Sequence, residues 1–471
     1  MADARAELIA LYGGAVSRAG DAVKVSDPAR LATDATDKVV WEAVFGEPAR
    51  REAARWLLWE LGQAVGVRPA SIAPVYFARG RGECGGFTVP AINVRMLAYE
   101  SARAVFRAAK ARDAGAILLE IARSEIAYTE QRPAEYVAVM IAAALREGHL
   151  LPIFIQGDHC QVNAKKYQAD PEAEVEEVKR LIKEEVGAGF YNIDVDTSTL
   201  VDLSHPTLLE QQRLNFERAA EITAFIRDIE PAGVSVSVGA EIGEVGHKNS
   251  TVEELRAFMD GYQPSLRRHG DLEGISKISV QTGTSHGGVV LPDGSIAKVK
   301  LDLDALAALS TVAREEYGMA GAVQHGASTL PPDAFGNFAR LETAEIHLAT
   351  NFQSLVFDHA ALPAALRDRM YAWLDANAQG EKKAGDTPEQ FYYKARKKAI
   401  GPFKREVWSL PAEARAAIGA DLERTFGFLF DQLKVGGTAA LVRKLVTPAY
   451  QSHASLDRAL VTAEDDAEAG E

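Results

Sequence analysis

Cysteine is scarce in this chain: 471 residues carry two, Cys84 and Cys160. Two thiols cannot build a disulfide framework, which fits a reducing compartment and predicts a cytoplasmic protein. Long apolar runs are missing as well. No stretch of about 18 apolar residues occurs, so no membrane-spanning helix is expected. The opening residues, Met1-Ala-Asp-Ala-Arg-Ala-Glu-Leu8, lack the charged-then-apolar design of a secretory leader. Positive charge is in deficit, with 52 Lys and Arg against 66 Asp and Glu and a net charge of −14. That balance argues against a protein that coats nucleic acid, because phosphate backbones would be repelled. A local basic patch could still serve a small phosphorylated ligand. Histidine is sparse too, with ten in all, and where those ten fall is informative.

What the chain does have is apolar content, 47% of its residues, enough for a large soluble core. Residues 1–85 read as a helical segment, with Val40, Trp41, Val44 and Phe45, then Trp56, Leu57, Leu58 and Leu61 at helical spacing. Arg79-Gly-Arg-Gly-Glu-Cys-Gly-Gly86 reads as a glycine-rich link that ends it. From residue 87 short apolar runs alternate with longer helical stretches. The runs are 87–94, 115–121, 151–156, 190–195, 234–240, 275–280, 320–324 and 343–348. Eight continuous rather than alternating runs, each followed by a helix, predict an α/β fold: a parallel sheet closed as a (β/α)8 TIM barrel over residues 86–357. Residues 358–462 read as a C-terminal helical extension, and 463–471 as an acidic tail.

Functional groups of such barrels collect at the C-terminal ends of the strands. Those ends carry Asp158-His159 after the third run, Asp194 and Asp196 after the fourth, and Glu241 after the fifth. The sixth gives His286, within Gln281-Thr-Gly-Thr-Ser-His-Gly-Gly288, and the seventh gives His325. Three of ten histidines closing strands of one sheet, with carboxylates beside them, predict a metal centre of His159, His286 and His325. Three imidazoles and an open position match a catalytic Zn2+ site, and Glu241 is a further candidate ligand. The glycines of Gly283-Thr-Ser-His-Gly287 and His325-Gly-Ala-Ser328 have two readings, tight turns or backbone N–H groups that hold an anion. Asp158 has two as well, a general acid/base or a partner orienting a histidine. Cys160 is read as structural, because adjacent strand residues face opposite sides.

Together these residues resemble the class II, metal-dependent fructose-bisphosphate aldolases. Asp158-His159-Cys160 with Lys165-Lys166, Asn192-Ile-Asp194, Glu241-Ile-Gly243, Gly283-Thr-Ser-His-Gly287 and His325-Gly-Ala-Ser328 carry the resemblance over about residues 86–355. Asn93 in Pro90-Ala-Ile-Asn-Val94 adds to it, and Tyr392-Tyr-Lys-Ala-Arg396 is a weaker echo. The resemblance implies reversible cleavage of a ketose phosphate, fructose 1,6-bisphosphate by default, with a divalent metal, usually Zn2+. It implies His159, His286 and His325 as metal ligands, Asp194 and Glu241 near an alternative metal position, and Asp158 as acid/base on the C4 oxygen. Gly287, Gly326, Ser328 and Thr350 would hold the phosphate of dihydroxyacetone phosphate. Arg396 would reach the other end of the substrate, from a neighbouring subunit of a homo-oligomer.

The chain also departs from the family pattern. Gln156 stands where the family has a histidine two places before Asp-His. After Glu241-Ile-Gly the sequence runs Glu244-Val-Gly-His-Lys-Asn249, and Glu253 and Glu254 are candidates for the base that moves the C1 proton. The family's Asn-x-Asp-Thr becomes His347-Leu-Ala-Thr350, which puts His347 at a substrate-contacting position. These changes leave the metal set whole and bear on the sugar. The alternatives are an aldolase for another ketose phosphate, such as tagatose 1,6-bisphosphate, or a non-catalytic partner subunit.

Overall fold

Eight of the apolar runs become strands. The structure is a computed structural model, and it describes residues 2–243, 248–284, 291 and 301–453. Among these, eight parallel strands close into a barrel: β1 (Val89–Asn93), β2 (Leu118–Ala122), β3 (Phe154–Gln161), β4 (Asn192–Asp196), β5 (Ser237–Glu241), β6 (Lys277–Val280), β7 (Ala322–Gln324) and β8 (Glu345–Leu348). Strands pair in chain order, and β8 pairs with β1 through Glu345–Val89 and His347–Ala91. All residues of β1, β2, β4, β5, β6 and β8 are buried, because helices cover the outside of the sheet and side chains fill the inside. The (β/α)8 barrel is therefore as expected.

The N-terminal segment is not all helix. Val16–Ala19 and Ala22–Val25 form a short antiparallel hairpin around Gly20-Asp21. A two-residue turn that begins with glycine suits such a hairpin, and the alternating Val16-Ser-Arg-Ala and Ala22-Val-Lys-Val patterns were the signal for it. Helices Asp34–Phe45 and Pro48–Val65 follow and bury Val40, Val44, Trp56, Leu57, Leu58 and Leu61. Each such side chain contributes about 1.5–3 kcal/mol on leaving water.

A further helix, α1 (Ala73–Gly80), closes the N-terminal end of the barrel. The Ile72 amide before it donates to Asn192 Oδ1 of β4 at 2.9 Å. Arg79, 1% exposed, donates to the carbonyl oxygens of Phe87 and Thr343, at the entries to β1 and β8. The C-terminal helix Ala412–Gln432 lies against Ala98–Lys110, the helix after β1, and the Leu433 carbonyl accepts from Thr88. Among the described residues no helix is long and apolar enough to cross a membrane. The acidic tail, 463–471, lies outside the described residues.

Candidate metal centre

The site starts from a defect in β3. Its pairing with β4 shifts register between Gly157 and Cys160, and His159 has φ +44°. A positive φ is unfavourable for a non-glycine residue, and strain of this kind persists only where its surroundings impose it. The extra residue breaks the alternation of the strand, so consecutive side chains can serve one site. Asp158 and His159 both use it: His159 Nε2 lies 3.9 Å from Asp158 Oδ1. Cys160 then points outward, where its thiol donates to Glu185 Oε2 at 3.2 Å on helix α2 (Pro171–Ala188). The structural reading of Cys160 agrees with this placement.

His159 meets His325 with ring centroids 4.3 Å apart, and His325 stacks on His347 at 3.9 Å. Potential ligand atoms of His159, Glu241 and His325 lie within 4.8 Å of one another. Those of Asp158, His325 and His347 do so too, as do those of Glu120, Glu345 and His347. Two imidazoles and a carboxylate are a donor set that suits a divalent cation of the zinc type. Asp196 Oδ2 lies 2.9 Å from His159 Nδ1 and is itself held by Gln161 Nε2 at 2.6 Å, which fixes the orientation of the ring. Ser279 Oγ is 3.0 Å from His325 Nε2.

The charge balance is carboxylate-heavy. Burial pushes Glu241 well above the usual range, and Asp196 and Asp158 add to it against the pull of His159. Burial alone would lower His159, but Asp158, Asp196 and Glu241 override it and hold the ring well above its ordinary value. A divalent cation between these groups would relieve the same repulsion, so the residues fit the metal the family pattern implies. His286 and Gly287 lie outside the described residues.

Other expected residues fall into three places. Glu241 is with the imidazoles, 3.7 Å from His159 Nδ1. Asp194 is bound chiefly by Lys277, whose Nζ reaches both its oxygens at 2.8 and 3.0 Å, and His347 Nε2 stands 3.6 Å from its Oδ2. His347 is in the centre rather than at its edge. Its Nδ1 is 2.9 Å from Glu120 Oε2 and 3.2 Å from Asp158 Oδ1, and its Nε2 is 2.7 Å from Glu345 Oε1. Burial would lower His347, and Glu120 and Asp158 raise it well above the usual value. Glu120 is pushed up to about 7 by burial and by Asp158, against His347.

Gly326, with φ +66°, caps the short helix Ala327–Thr329 after β7, a backbone glycine adopts freely. Ser328 Oγ accepts from the Ala349 amide at 2.7 Å and ties this turn to the start of α3 (Thr350–Asp358). Gly326, Ser328 and Thr350 are thus brought together at adjacent strand ends. Asn93 lies at the end of β1, where its amide donates to Glu125 at 2.6 Å and its oxygen accepts from Arg95 at 2.9 Å. Arg396 is held within its own chain, 2.9 Å from Asp358 and 2.6 Å from Ser354. Those partners sit in the last turns of α3, and Asp358 is about 12 Å along the helix from Thr350 by the rise per residue. The candidate base Glu254 is spent in a capping box with Thr251 and 2.5 Å from Lys248. His247 and Glu244 lie outside the described residues.

Sequence reasoning missed Glu120, Lys277 and Glu345, because each is a lone charge inside an apolar run. The odd signal was there: a charged residue in the middle of an otherwise buried strand has to find a partner.

A search of curated proteins gives no match. Among solved structures, the fructuronate-tagaturonate epimerase UxaE of Cohnella laeviribosi, complexed with one glycerol, is 12% identical. It covers 89% of this chain and 93% of its own, with a TM-score of 0.56. A probable tagatose 6 phosphate kinase of Sinorhizobium meliloti is 18% identical over 79% of this chain and 97% of that one, TM-score 0.52. The fructose-bisphosphate aldolase of Campylobacter jejuni is 17% identical over 77% and 93%, TM-score 0.46. At these identities the first two likenesses show the fold. The sequence profile of the class-II fructose-bisphosphate aldolases matches residues 81–407, which takes in the whole barrel and part of the C-terminal extension. The chain belongs to the class-II fructose-bisphosphate aldolase family.

Proposed function

We propose that this protein is a metal-dependent aldolase that reversibly cleaves a ketose phosphate to dihydroxyacetone phosphate and an aldehyde. Fructose 1,6-bisphosphate is the first substrate to try. The observation that carries the reading is the His159–Glu241–His325 group with Asp158 beside it, all at strand ends of the barrel. His159 and His325, with His286 as the third imidazole and Glu241 as an alternative carboxylate ligand, would hold the cation, Zn2+ by donor type. Such a cation polarises a ketone and stabilises negative charge developing on it as a Lewis acid.

The chain's own residues supply the rest. Asp158 takes the proton from the C4 hydroxyl in cleavage and returns it in synthesis, so it acts as both base and acid. Asp196 keeps His159 in one orientation. The turns at Gly326, Ser328 and Thr350 would offer backbone N–H groups to the phosphate, as Gly287 is expected to from the sequence, and the N-terminal end of α3 favours an anion there. Asn93, at the end of β1 beside β8, would contact the substrate next to those turns. Buried strand ends exclude water from the reacting carbons.

His347 and Ala349, where the family pattern has Asn and Asp, favour a second reading, an aldolase for another ketose phosphate such as tagatose 1,6-bisphosphate. The experiment is a panel of ketose phosphates and ketose acids compared by kcat/KM, before and after chelation and zinc replacement. Cleavage that needs the metal supports the aldolase. Metal-independent cleavage, or carbon-centre inversion without cleavage, overturns it. A homo-oligomer is the further expectation, measurable by light scattering.

A further inference from the structure

The interior of such a barrel is usually filled with layers of bulky branched side chains. Here its lower layers are polar. Lys277, 1% exposed, points into the barrel and lies 2.5 Å from Glu345 Oε1 and 2.8 Å from Asp194 Oδ1. Gly239 makes room for it: a Cβ there would stand 2.8 Å from Lys277 Cε and 2.3 Å from Asp194 Oδ1. Burying so many charges is costly, and well-packed apolar side chains usually serve stability as well or better. The arrangement therefore calls for a use.

It also has a direction. From below, the hydroxyl of Tyr76 on α1 donates to Glu345. Glu345 and His347 are two residues apart on β8 and share its inner face. Glu345 Oε1 meets His347 Nε2 at 2.7 Å, and His347 Nδ1 lies between Glu120 Oε2 at 2.9 Å and Asp158 Oδ1 at 3.2 Å. Carboxylates lie close to both ring nitrogens, and His325 stacks on the ring face at 3.9 Å, so the imidazole is enclosed on its edge and its face. The chain of contacts ends at the carboxylate next to the metal centre.

We infer that Tyr76, Glu345 and His347 are positioning residues that fix the Asp158 carboxylate from beneath the site. Helix α1 of the N-terminal segment is thereby part of the acid–base machinery and not a packing layer alone. Lys277 holds Glu345 in place and keeps it ionised. This inference rests on the reading of Asp158 as the acid–base group.

The test uses the full-length protein loaded with zinc and two variants, His347→Leu and Tyr76→Phe. Misplacing a reacting group lowers kcat, so His347→Leu is expected to lose about 10- to 10²-fold and Tyr76→Phe about 3- to 10-fold. For Tyr76→Phe, KM and zinc content should stay within about twofold of the unmutated protein, a split that a general loss of structure would not give. Tyr76→Phe removes one oxygen atom, so it keeps the test open if His347→Leu folds poorly. Unchanged kcat in both variants, or loss of zinc in place of kcat, overturns the inference. Crystal structures of the variants supply a readout free of turnover: the Asp158 carboxylate should rotate away from its present position. A carboxylate that stays put overturns the inference whatever the substrate. A wild-type protein that cleaves no ketose phosphate overturns the function reading alone.

Discussion

The top and the floor of this barrel are built from similar side chains put to opposite uses. At the top, His159, His325, Glu241, Asp158 and Asp196 crowd together with an excess of negative charge, which suits a cation from outside the chain. On the floor, Lys277 lies between Asp194 and Glu345, while Gln156 bridges Glu120 and Glu345 at 3.1 and 2.8 Å. The floor supplies its own cation. Burial would lower Lys277, but Asp194 and Glu345 hold it above its usual value, and Lys277 in turn holds Glu345 below the usual carboxylate range. The difference teaches that burial of charge alone does not mark a site. What marks it is charge that the chain leaves unbalanced.

Breaking the top should cost function and spare the fold. His325→Ala is expected to remove most bound metal and nearly all activity, checked by elemental analysis and by assay of the zinc-reconstituted protein. Asp158→Asn should keep the metal and lose cleavage by a factor of about 10²–10⁴, the usual scale for an acid–base group. Wild-type turnover in that variant would reduce Asp158 to a ligand-orienting role.

Breaking the floor should cost stability first, and turnover with it where Asp158 loses its support from below. Lys277→Met leaves Asp194 and Glu345 buried without their cation, and removal of one partner of such a pair costs about 3–5 kcal/mol. Urea unfolding measures it, and an unshifted midpoint would mean the floor does not depend on this lysine. Gly239→Ala pushes a methyl against Asp194 and Lys277, and overpacking of this kind costs about 1–3 kcal/mol.

A pH-dependent effect sharpens the contrast from outside both regions. Behind β3, burial pushes Glu185 up to about 8 from an ordinary 4.5. The folded chain therefore keeps a proton that the unfolded chain gives up. The stability this provides is full below pH 4.5 and is lost as pH rises through about 8. Glu185→Gln, which mimics the protonated acid, should flatten that fall between pH 5 and 9 in unfolding measurements. An identical slope would place the titration elsewhere.

The sequence alone was enough to locate every barrel strand, because buried parallel strands write themselves as short apolar runs and βα units repeat them at intervals. It also pointed to His159, His325, Asp158 and Glu241, since strand ends are where a barrel exposes side chains. The hairpin at Val16–Val25 was hidden by its length, four residues a strand, among helical neighbours. Glu254 was chemically apt, yet it had nearer partners in Thr251 and Lys248. Local pattern cannot weigh such competition.

Only the tertiary structure decided the rest. It turned Asp158 and His159 to the same side through a strained residue, assigned Asp194 to Lys277, and moved His347 from the rim into the centre. The reason is physical. Periodicity fixes which face of a strand a residue occupies, whereas the pairing of buried charges depends on distances across the barrel between strands far apart in the chain.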